Sequence, residues 1–140
     1  MNLNLPAVPP FDLDAVVRSH GWVQLPPLAY DRERRILTTV LRIENGEESG
    51  RLAEVRIRPA SERDNQPGGI VASEIAETVK TCTSLAHDVT WMLQLDRDFS
   101  DFYVLSREDP HLAHVEPEAK GRILRSPALF EDVVKTILTT

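Results

Sequence analysis

Along the 140 residues the spacing of apolar positions changes near residue 70. Before that point it has the two-residue period of strands. Residues 52–58 alternate, with Ala53, Val55 and Ile57 on one face and Glu54, Arg56 and Arg58 on the other. Residues 35–43 are rich in β-branched side chains, and Leu28-Ala29-Tyr30 offers a third short run ahead of the polar turn at 31–34. The charged, turn-rich stretch 44–50 suits a hairpin. These runs predict an antiparallel meander with one wet face.

After residue 70 the period lengthens. Ile75, Val79, Cys82, Ala86, Val89 and Leu93 recur at alternating steps of four and three, the stripe of an amphipathic helix, with a weak point at 81–84. Residues 98–105 and 116–121 suggest two short helices. A last helix, opened by Pro127 behind Ser126, carries Leu129, Phe130, Val133, Val134, Ile137 and Leu138 on a wide apolar face. Nearer the start, Asp12 caps a short helix over 11–21 that Gly21 closes, and 22–25 reads as a strand. Prolines 6, 9 and 10 make residues 1–10 an extended leader. The expected fold class is α+β, an antiparallel meander with flanking helices, over residues 11–118. Residues 119–140 form a lead-in segment and a helix still in phase at its last residue. That helix lacks a capping glycine, asparagine or proline and needs partners on more than one side, so the chain is expected to be cut from a larger protein.

Composition is that of an ordinary folded domain, with 41% hydrophobic and 27% charged residues. No apolar run is long enough to span a membrane, and residues 1–6 hold no signal peptide, so a cytoplasmic protein is expected. A single cysteine excludes an internal disulfide. The net charge of -6 argues against a whole surface that binds nucleic acid. Its distribution is uneven. Residues 71–118 hold 3 basic and 10 acidic side chains, whereas 119–140 hold 4 basic and 2 acidic ones. The basic residues of that last stretch, Lys120, Arg122, Arg125 and Lys135, are the candidates for contact with a DNA backbone.

Other candidates are weaker. His111 and His114 have metal-ligand spacing but sit in a short, proline-bracketed turn without a third ligand, so no metal and no cofactor is expected. Asp96, Asp98 and Asp101 lack the glycine and closing glutamate of a calcium loop, and Asp98 or Ser100 reads better as a cap for a helix whose Phe99, Phe102 and Tyr103 pack inward. Cys82 lies on the apolar stripe as a small hydrophobe. Residues 66–71 have adjacent glycines but not the spacing of a phosphate loop, and read as a loop leading into the long helix.

Two motifs carry a resemblance. In 121–140, Pro127, Phe130, Glu131 and Ile137 match the "Pro-x-x-Phe-Glu-x-x-x-x-x-Ile" run at the start of the catalytic core of helix-hairpin-helix base-excision DNA glycosylases, the HhH-GPD superfamily of 8-oxoguanine and 3-methyladenine glycosylases. Upstream, 92–103 resembles that family's segment of an aromatic residue or Met followed by "Leu-x-Leu-Asp-x-Asp-x-x-x-Phe", and the two occur in the family's order. The resemblance implies a TATA-binding-protein-like sheet domain, non-catalytic, placed before an all-α core. It also implies double-stranded DNA as partner of the complete protein. The family's catalytic Asp, its lyase Lys and its DNA-gripping hairpin have no counterpart here, so no residue is assigned as catalytic and the chain alone is expected to be inactive. Thr139 and Thr140 fall where the motif bordering the flipped base would begin. The competing expectation is a stand-alone interaction module that self-associates through the helix 127–140.

Overall fold

The computed structural model describes residues 2–44, 49–61, 68–74 and 83–139, and for Ser73, Glu74, Thr83 and Thr139 the backbone alone. Within these residues the fold is α+β. Five strands, β1 (Asn2–Leu5), β2 (Ala29–Asp31), β3 (Ile36–Arg42), β4 (Leu52–Pro59) and β5 (Ile70–Glu74), form one antiparallel sheet in the order β1-β5-β4-β3-β2. Four helices accompany it: α1 (Leu13–Val17), α2 (Thr83–Leu93), α3 (Ser100–Glu108) and α4 (Leu129–Thr139).

The hairpin alternation is realised as expected. Leu37, Thr39 and Leu41 of β3 stand opposite Ile57, Val55 and Ala53 of β4, all buried, while Arg56 pairs with Thr38 on the wet face. Register follows from this pattern, since a slip of one residue would turn every apolar side chain to water. The buried face is closed by Leu13, Val16 and Val17 of α1 and by Leu85, Val89, Met92 and Leu93 of α2. Asp12 caps α1 as its position suggests, accepting a hydrogen bond from the Ala15 amide at 2.9 Å.

Several expectations are corrected. The leader is partly a strand: Asn2–Leu5 pairs with β5 on the sheet edge, so only 6–10 lies outside the ladder. Gly69 lies just before that pairing and must be small, because a Cβ there would collide with the Leu5 carbonyl oxygen. Residues 22–25 do not form a strand. Gly21–Gln24 is a 3-10 helix, nucleated by the His20 side chain accepting from the Trp22 amide. Residues 116–121 are turns and irregular chain, not helix. Phe102 does not pack inward but stays half-exposed on α3, where its ring covers Gly121; that glycine has a φ of 114°, and an added Cβ would lie 2.9 Å from the ring. Cys82 and residues 75–81 of the expected long helix lie outside the described residues, as do 45–48 of the hairpin loop.

Candidate functional site

The lead-in segment is bonded along its length to residues of the sheet domain. Residues 120–126 run as an extended strap, and side chains from four other regions, with one backbone carbonyl, take up its backbone groups. The Tyr103 hydroxyl donates to the Lys120 carbonyl (2.8 Å), and the Ile123 amide donates to Gln94 Oε1 (2.8 Å). The Leu124 amide donates to Ser19 Oγ (3.0 Å), and its carbonyl is bonded to His20 Nε2 (2.7 Å). The Arg125 amide reaches the Met92 carbonyl (3.0 Å), and the Ser126 amide reaches Asp132 Oδ1 (2.9 Å). A strap with no strand to pair with has its polar groups satisfied this way because burying them unpaired would be costly. Leu124 itself is in the core.

Arg122 anchors the strap. It is only 2% exposed. Its Nη1 donates to the carbonyls of Gln94 (2.7 Å) and Arg97 (2.9 Å), and its Nη2 to those of Val8 (2.5 Å) and Pro10 (3.4 Å). The guanidinium lies 4.7 Å from the Phe99 ring centroid and 5.8 Å from that of Phe11. Burial lowers its pKa, offset by Tyr103, Asp96 and Asp98 nearby. Carbonyl dipoles and ring faces thus replace water around the charge. This removes Arg122 from the set of DNA-backbone candidates: Nη1 and Nη2 are bonded to carbonyls inside the protein, and Nε is buried without a hydrogen-bond partner.

Lys135 leaves that set for a similar reason. It is 8% exposed, donates to Ser126 Oγ (3.2 Å) and to Glu131, and lies over the Trp22 ring at 5.7 Å. Lys120 and Arg125 remain nearer the surface. Lys120 is paired with Glu118, and Arg125 stacks on the half-exposed Trp91 at 4.4 Å. The structure therefore does not assemble the four basic residues into one cationic face. Thr139 ends α4, with only its backbone described, and Thr140 lies outside the described residues.

The polarity of α4 is reversed with respect to its own domain. Its charged face points inward: Lys135 is buried, while Glu131 and Asp132 are half-buried and engaged. Its apolar face points out, with Phe130 and Leu138 each 78% exposed and Leu129 77%, joined by Ile137 and Val133. Every residue of that outward row that the sequence marked as needing partners is open except Val134, which is half-buried. Such a row on a helix normally faces a core, and contiguous exposed apolar surface marks an interaction site. Sequence reading found the stripe but not which residues would hold it in place. The clue was Ser126 and Lys135 set nine residues apart on either side of Glu131 and Asp132.

Two grooves flank these parts. One, of ≈ 700 Å³, separates α1 from the strap. The charged side chains along it are paired, Arg18 with Asp14 (3.1 Å), Lys120 with Glu118, and Asp12 with Arg35 across its rim. The other, of ≈ 350 Å³, lies where α4 begins and is bordered by Arg42, Glu44, Asp88 and Glu131; burial pushes the Asp88 carboxyl up. Among the described residues no group of three or more His, Cys, Asp or Glu could hold a metal ion, and His111 and His114 sit exposed in turns. Asp98 accepts from the Ser100 amide (2.8 Å) and hydroxyl (2.6 Å) at the start of α3, which lowers its pKa. No described helix is long and apolar enough to cross a membrane.

Compared with family models, with curated proteins and with solved structures, the chain has no match.

Proposed function

We infer that the chain is the non-catalytic N-terminal domain of a base-excision DNA glycosylase-like protein of the helix-hairpin-helix superfamily, and that α4 is the first helix of its α-helical core. The observation that carries this reading is the reversed polarity of α4. Phe130 and Ile137, the apolar positions of the motif shared with that family, are on the outward face, while Glu131 pairs with Lys135 on the inward side. A helix held by its charged side and exposed on its apolar side is suited to join two bodies. The sheet domain would correspond to the TATA-binding-protein-like part of such enzymes. In this reading the domain supports the core that flips and excises a damaged base from double-stranded DNA, and the catalytic groups lie outside residues 1–140.

Two measurements test it. The coding frame beyond the Thr140 codon should continue into a glycine-rich hairpin followed by an aspartate; an immediate stop codon overturns the assignment. The 140-residue protein should excise neither 8-oxoguanine nor 3-methyladenine from a duplex, and cleavage by pure protein would contradict a domain without catalytic groups. The same outward face also fits self-association through residues 127–140. A defined dimer in sedimentation, together with a stop codon, would favour that second reading.

A further inference from the structure

Ser19 and His20 follow α1 directly, and between them they hold both backbone groups of Leu124. His20 also takes the Trp22 amide on its other ring nitrogen, Nδ1, at 3.1 Å. The partners dictate the proton. An amide N–H can only donate, so Nδ1 must present its lone pair; a carbonyl oxygen can only accept, so Nε2 must carry the hydrogen. The neutral Nε2–H imidazole is the one form that satisfies both. Its ring stands edge-on to Trp22, with centroids 4.7 Å apart at 71°. The Trp22 indole in turn carries Lys135 of α4 on its face.

We propose that His20 is a proton-sensitive latch that holds the strap and α4 against the sheet domain. Protonation at Nδ1 sets a donor against the Trp22 amide, which then has no acceptor. It also adds a positive charge beside the indole that Lys135 already occupies. The 3-10 helix 21–24 loses its cap, Trp22 shifts, and α4 loses the ring under its buried lysine. The charged groups on the neighbouring elements do not offset this. Arg18 and Asp14 of α1 pair with each other, and Arg122 and Arg125 of the strap are held by carbonyls and by Trp91. On α4, Glu131 is committed to Lys135, and Asp132 accepts the Ser126 amide. The latch stands on this geometry alone, whichever partner covers the apolar face of α4.

Hydrogen exchange of the full chain tests it, read as protection factors for the amides of α4 at pH 8.0 and pH 5.5. This window spans the charging of an ordinary imidazole. Protection of α4 should fall in the native protein, by up to about tenfold, the linkage limit for one imidazole over this window. It should be unchanged across the window in His20→Gln, whose amide cannot titrate. Equal protection at both pH values, or the same fall in His20→Gln, overturns the latch. If that variant does not fold, the native protein still decides by NMR. The Trp22 and Leu124 amides should titrate in step with the His20 ring, and amides that hold still while the ring titrates overturn the proposal.

Discussion

Ile57 and Phe130 are both large apolar side chains, and the molecule uses them in opposite ways. Ile57 lies at the centre of the sheet, fully buried between Leu37 and Ala72 and facing the α1 and α2 side chains. Phe130 stands on a helix whose polar side is the buried one. In the sheet domain, burial of apolar surface holds the parts together, and position follows from it. In the strap and α4, position comes from directed bonds: four carbonyls around one guanidinium, two side chains around Leu124, and a lysine between a serine and a glutamate. The first kind of contact is strong and sets register through which face is buried. The second fixes orientation, contributes less per contact, and leaves the apolar face of the helix unused.

Substitutions can break or sharpen this contrast. The largest effect is expected from Ile57→Ala, which should cost about 2–5 kcal/mol in urea unfolding, because the rigid sheet cannot close over the gap. A loss well below 1 kcal/mol would mean that the sheet core is not the source of stability. Arg122→Met should cost about 2–3 kcal/mol. Methionine fills the space between Phe99 and Phe11, but the carbonyls of Val8, Gln94 and Arg97 lose a charged donor. It should also expose the chain near residue 10 to proteolysis while the sheet stays folded, and a global loss of structure would instead place Arg122 with the core. Phe130→Ser should shift stability by less than about 0.5 kcal/mol and reduce association in sedimentation. A loss on the scale of Ile57→Ala would show that the outward face is packed in solution.

The two regions also differ in how much of them could be read from the sequence. The β3–β4 hairpin was legible because its pattern is local: alternation over seven or eight residues, bounded by turn residues, fixes both period and facing. β1 and β5 were not. Each is four or five residues long, and each has a partner supplied by a distant part of the chain, so neither has a complete pattern of its own. Gly69 looked like a loop glycine because the strand it makes room for is 64 residues away in Leu5. At 22–25 the β-propensity of Trp and Val gave way to one side-chain bond from His20. The apolar row on α4 was visible as a pattern, and its exposure is what the structure adds. The role of Arg122 was hidden, since a buried cation bound by carbonyls and aromatic faces has no spacing rule to betray it, whereas Lys135 follows Glu131 at the i,i+4 spacing that exposed helix pairs also use.

The Arg122 anchor carries a further meaning for how the protein is made. Its guanidinium binds the carbonyls of Val8 and Pro10, 114 and 112 residues earlier in the chain. A ribosome delivers the first of these groups well before the last. The opening residues are therefore claimed in two stages, the strand β1 once β5 has emerged and the turn behind it only with Arg122.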